Sequence, residues 1–93
     1  KACEVLGKER LSIGGTAGTV ADLKVMFKMV IENKASAFIA VHNHPSGNLK
    51  PSDADVDLTK KMKEAGKIID LPLLDHLIIS ERGYYSFADE GVI

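Results

Sequence analysis

Residues 42–55 read His42-Asn43-His44-Pro45-Ser46-Gly47-Asn48-Leu49-Lys50-Pro51-Ser52-Asp53-Ala54-Asp55. They hold two of the chain's three histidines and two of its three prolines. Just before them lies Ser36-Ala37-Phe38-Ile39-Ala40-Val41, an apolar run with the character of a strand. Apolar residues on both of its faces predict a central strand covered on both sides. Just after them, a helix is expected to start at Pro51-Ser52. Val56, Met62, Ala65 and Ile69 lie on one broad face of it, and Gly66 is its expected stop. The polar stretch is therefore a loop thrown from the end of a strand into the start of a helix. That is where α/β proteins tend to carry their sites.

Working outward, residues 20–33 predict another helix. Leu23, Met26, Phe27, Val30 and Ile31 form one apolar stripe, and Asp22 sits where a negative charge suits the helix dipole. Leu73-Leu74-Asp75-His76-Leu77-Ile78-Ile79-Ser80 reads as a strand, Gly83 as a turn, and residues 84–87 as a short last strand. Residues 3–13 read as a first strand with a bulge near Gly7, and the glycine-rich residues 14–19 as a loop feeding the first helix. The order β-α-β-α-β-β predicts an α/β domain with a mixed central sheet flanked by helices, in two or three layers.

Composition limits the functions open to the chain. Its 93 residues suit one domain, 1–93, with a modest core. It is 45% hydrophobic and 27% charged with a net charge of −1, so no global field favours nucleic acid or a membrane surface. A single cysteine, Cys3, excludes a disulfide framework and a cysteine-based zinc site. No signal peptide stands out, and no apolar run approaches the roughly 20 residues that span a bilayer. A cytoplasmic protein without membrane contact is expected. The chain opens at Lys1 without an initiator methionine, as an excised piece of a longer protein would.

The chemistry lies in the central loop. On an extended strand, residues i and i+2 point to the same side, so His42 and His44 converge. Two imidazoles suit a zinc ion, which takes tetrahedral nitrogen, sulfur or oxygen ligands at about 2.0–2.3 Å. The nearby carboxylates are Asp53, Asp55 and Asp57. Asp55 is best placed: with Ser52 as N-cap it falls in the first helical turn, able to reach back toward the strand end. Two histidines and one carboxylate leave a fourth position open, as in catalytic rather than structural zinc sites. A second reading of Asp55 stands beside this one, since Ser52-x-x-Asp55 is close to a capping box. A zinc deaminase is excluded by the absence of a P-C-x-x-C motif. His76 or Asp75 could support a metal-bound histidine or simply be a hydrogen-bonded polar residue in a strand. Lys60, Lys63 and Lys67 form a basic ridge that could touch phosphates, but a solvated helix face is the favoured reading.

His42-x-His44, seven residues, then Ser52-x-x-Asp55 resembles the JAMM (MPN) metalloprotease signature. The longer string through Leu58-Thr59, with Leu73 to Ile79 and Tyr84-Tyr85-Ser86-Phe87-Ala88-Asp89-Glu90-Gly91, resembles the RadC family of DNA repair proteins. The resemblance covers nearly the whole chain, from about Val5 onward. It implies a cytidine deaminase-like JAMM/MPN fold and one zinc per chain, held by His42, His44 and Asp55. It also implies a catalytic role for Ser52, as a donor to the tetrahedral oxyanion, and cleavage of peptide or isopeptide bonds in a peptide or protein substrate. The family's general-base glutamate lies on an early strand upstream of this segment. Glu4 and Glu9 are nearby but neither matches it, so no base is assigned, and the chain is expected to lack its N-terminal strand. That leaves an open sheet edge through which a second copy could pair. Three functions follow: a zinc-dependent hydrolase, a non-catalytic metal-stabilised module, and a DNA-associated repair factor, the last from the family name and the ridge of Lys60, Lys63 and Lys67.

Overall fold

The computed structural model describes residues 22–44 and 47–93. The expected first strand, the glycine-rich loop, Cys3, Glu4 and Glu9 lie outside the described residues. The chain divides into two compact units, residues 1–35 and 36–93.

In the first unit, α1 spans Leu23–Glu32. It begins at Asp22, whose carboxylate accepts the Lys24 N–H at 2.9 Å. Met26 and Phe27, from the apolar stripe, are buried. The helix closes in a Schellman turn: Ala35 N–H reaches Val30 O at 3.3 Å and Lys34 N–H reaches Ile31 O at 2.9 Å. Lys34 takes the left-handed conformation there, with φ of 55°.

The second unit carries β1 (Phe38–Asn43), α2 (Asp53–Ile68), β2 (Leu73–Ser80) and β3 (Gly83–Ser86). The sheet order is β1-β2-β3, with β1 parallel to β2 and β2 antiparallel to β3. A parallel pair needs a crossover, and α2 supplies it. The result is a small α/β domain with a mixed sheet, consistent with the expected JAMM/MPN-type fold. No helix among the described residues is long and apolar enough to cross a membrane.

The buried positions of α2 are Asp55, Thr59, Met62 and Gly66, one stripe at helical spacing. That stripe meets the sheet where Thr59 bonds His76 of β2 and where Gly66 lies against the Phe38 ring of β1. Met62, Leu73, Ile78 and Phe87 make up the apolar core beneath it.

Three expectations are corrected here. The strand read at residues 36–41 forms at 38–43, so His42 lies inside β1 rather than beyond its end. Within the second unit, among the described residues, only one face of β1 is covered: Ile39 and Val41 on the other are 50% and 60% exposed. They share the face of Asn43, while α2 lies on the Phe38, Ala40 and His42 face. An apolar run alone does not show which face finds a partner. Gly66 does not end α2 either. The helix runs on to Ile68 and closes at Asp70, with φ of 58°, through Leu71 N–H to Gly66 O at 2.7 Å.

Candidate metal centre

β1 delivers His42, and the chain leaving β1 delivers His44. The His44 N–H still donates to Ile79 O of β2 at 2.9 Å, so the sheet ladder fixes this backbone. The loop then turns sharply. Gly47 N–H bonds His44 O at 3.1 Å, with Gly47 at φ of 83°, a conformation glycine adopts without strain. Asn48 O lies 2.7 Å from His44 Nδ1. A carbonyl only accepts, so Nδ1 carries the proton, and Nε2 is left as the electron-pair donor of that ring.

α2 delivers the carboxylate. Ser52 caps the helix, its Oγ accepting Asp55 N–H at 3.1 Å, while Ser52 N–H donates to Asp55 Oδ2 at 2.8 Å. The two readings of Asp55 are therefore compatible. The same carboxylate that closes the capping box sets Oδ1 3.0 Å from His42 Nδ1 and Oδ2 3.4 Å from His44 Nε2. Asp55 is 5% exposed. Burial works against its charged form, but hydrogen bonds from Ser52 and the nearby His42 and His44 outweigh it and hold the pKa below the usual aspartate value.

One ligand atom from each of His42, His44 and Asp55 lies within 4.8 Å of the others. A tetrahedral ion with bonds near 2.05 Å needs its ligand atoms roughly 3.3 Å apart, and each Asp55 oxygen has one imidazole nitrogen near that distance. Two imidazole nitrogens and one carboxylate oxygen fit a divalent cation such as zinc and leave a coordination position over. Asp53 and Asp57, the other carboxylates considered, are exposed and do not join the cluster. Ser52 stands beside it. Accepting the Asp55 N–H uses an oxygen lone pair, so the Ser52 O–H can still donate.

His76 is inward-facing and 1% exposed, whereas Asp75 serves the fold. Asp75 Oδ1 accepts the N–H groups of His76 and Ala88 at 2.7 and 2.9 Å, and Oδ2 accepts the Ser86 hydroxyl at 2.6 Å. These bonds tie β2 to the turn after β3. Thr59 ends the family-like string in the sequence, but no role was read for it there. Its one signal was a polar residue one turn after Asp55, on an otherwise apolar stripe.

Burial, with a smaller contribution from His42, pushes His76 down to about 4 from 6.5. Between those values the unfolded chain binds a proton that the native state refuses. The stability tied to His76 is thus fully present above pH 6.5, falls as the pH drops toward 4, and levels off below. The loss should approach about 3 kcal/mol at ~1.4 kcal/mol per pH unit. Urea midpoints of the metal-free protein, measured from pH 7 to 4, check this; a flat profile would contradict it.

A mixed-sheet α/β domain that gathers two histidines and a capping aspartate between a strand and the next helix has the make-up of a JAMM/MPN-type module. Comparison with known proteins carries this further: the RadC-like JAB domain family matches residues 1–92, and the chain belongs to that family. Among its relatives, a UPF0758 protein of Flavobacterium johnsoniae is 55% identical over 89 residues, covering 96% of this chain and 39% of the relative. A UPF0758 protein of Porphyromonas gingivalis is 42% identical over 91 residues, covering 97% and 40%. One from Thermotoga maritima is 41% identical over 87 residues, covering 94% and 39%. The chain thus spans about 40% of the length of these relatives.

Proposed function

We propose that this domain is a zinc-dependent hydrolase of the JAMM type, cleaving a peptide or isopeptide bond. In this reading His42, His44 and Asp55 hold one zinc per chain, and Ser52 donates to the oxyanion. The observation that carries it is the approach of three ligand atoms to within 4.8 Å, at the junction of a strand and a helix. Zinc, when bound, supplies a Lewis acid and lowers the pKa of a coordinated water to about 7. The chain's own residues do the rest. The bond to Asn48 O keeps His44 in the tautomer whose Nε2 faces the cluster. The Ser52 bonds keep Asp55 ionised and aimed. The Ser52 hydroxyl offers a donor where negative charge develops on the substrate. The proton-accepting base is not assigned; Glu4 and Glu9 lie outside the described residues.

The test is cleavage of peptide and isopeptide libraries by the zinc-loaded parent protein, with and without a chelator. Metal-dependent cleavage that disappears in His44→Ala is expected. No cleavage of any library by the zinc-loaded parent would sink the hydrolase reading.

A second reading, a metal-stabilised module without catalysis, draws on the double duty of Asp55. An ion that fixes this carboxylate also fixes the cap of α2. Zinc would then raise the melting temperature in proportion to its binding while no substrate is turned over. The DNA-associated reading draws only on Lys60, Lys63 and Lys67. These are exposed and line a surface groove with Glu64 and Val92. It requires DNA affinity that falls steeply with added salt.

A further inference from the structure

Behind the three clustered side chains lies a second layer outside the His42–Asp55 motif. Thr59 of α2 is 0% exposed and His76 of β2 is 1% exposed. The Thr59 hydroxyl has one proton to give. Asp55 O is a carbonyl and can only accept, so the 2.8 Å bond from Thr59 Oγ1 takes that proton. The 2.6 Å contact between Thr59 Oγ1 and His76 Nδ1 then needs the imidazole to donate. The bonds therefore run one way, from His76 Nδ1–H through Thr59 Oγ1–H to the backbone oxygen of Asp55.

The His76 ring is itself held flat. Phe87 stacks on it at 4.6 Å and 8°. His42 lies parallel to it at 6.2 Å and 7°. One buried imidazole thus reaches Asp55 through Thr59 and reaches His42 by ring contact. Those two residues come from different elements, a helix and a strand, and their carboxylate and imidazole must meet at a fixed distance for an ion to sit between them.

We propose that Thr59 and His76 are positioning residues that set the distance between Asp55 and His42, so that metal affinity depends on a hydroxyl that never touches the metal. This rests on the reading of His42, His44 and Asp55 as ligands. An ordinary core hydrogen bond would contribute to stability alone. A positioning bond must also change the metal, both in affinity and in the symmetry of its ligand field.

The experiment measures zinc affinity by competition with a chromophoric chelator, and the visible absorption of the cobalt(II)-substituted protein, in the full chain. Thr59→Val keeps the shape and removes both hydrogen bonds. Thr59→Ala, which places no methyl group against the imidazole, serves beside it as a second hydroxyl-free variant. Thr59→Ser restores the hydroxyl. Zinc affinity is expected to fall about 10–100-fold in the valine and alanine variants, the usual cost of losing a partner behind a metal ligand. Their cobalt bands should shift, while Thr59→Ser keeps the parent's affinity and spectrum. Parent affinity and spectrum in a folded Thr59→Val or Thr59→Ala protein would overturn this inference and leave the ligand reading standing. No metal uptake by the parent would overturn both.

Discussion

Asp55→Ala should strip the metal from the protein and weaken the metal-free fold as well, whereas Asp55→Asn should strip the metal and leave most of the fold's stability intact. The carboxylate has two jobs. Its Oδ2 accepts the Ser52 N–H at 2.8 Å, closing the capping box of α2. Both oxygens face the histidines, at 3.0 and 3.4 Å. Alanine ends both jobs. Loss of a helix cap costs about 1–2 kcal/mol, even before any metal is considered. Asparagine keeps an oxygen able to accept the Ser52 N–H but brings no negative charge to an ion. Its effect on zinc affinity should exceed the ~100-fold that follows from losing a partner behind a ligand. Metal content and urea melts with excess chelator separate the two jobs. Retention of parent zinc affinity by Asp55→Asn would remove Asp55 from the ligand set.

Gly66→Ala should destabilise the domain, against the usual gain of about 1 kcal/mol from placing alanine in a helix interior. Gly66 lies in the last turns of α2, and the chain folds back over it to close the helix. A Cβ there would stand 2.3 Å from the Leu71 carbonyl oxygen. That oxygen cannot swing away as a side chain would. Its own residue supplies the N–H that bonds Gly66 O at 2.7 Å, and β2 begins two residues later. The backbone must shift, at a cost of about 1–3 kcal/mol beyond the helix gain. For a domain of this size, each kcal/mol lowers the melting temperature by about 4–8 °C. A variant that melts at or above the parent temperature would show that the turn yields freely.

The convergence of His42, His44 and Asp55 was legible in the sequence because it follows from two short-range rules. Alternation along a strand sends His42 and His44 to one side, and the Ser52 cap puts Asp55 in the first helical turn. The structure keeps both, with the strand displaced two residues toward the histidines. The bounds of β2 were equally plain, since Pro72 and Gly83 bracket a largely aliphatic run that only Asp75 and His76 interrupt before Ser80. What was not legible depends on contacts between distant segments. Gly66 looked like a stop because glycine often ends helices; its real constraint is a carbonyl from the following turn. The exposure of Ile39 and Val41 depends on which face of β1 a helix covers, and periodicity does not state that. Thr59 looked like a helix residue of no consequence until His76 came within 2.6 Å of it across the fold.

Zinc content is the measurement that bears most directly on the metal centre. The purified full chain is freed of metal with chelator, given excess zinc, passed through a desalting column and analysed for metal per chain. One zinc per chain in the parent, and none in His42→Ala, is the expected result. A folded parent that retains no zinc, cobalt or manganese after the same treatment would contradict it and leave the cluster of His42, His44 and Asp55 as a helix cap with two histidines beside it.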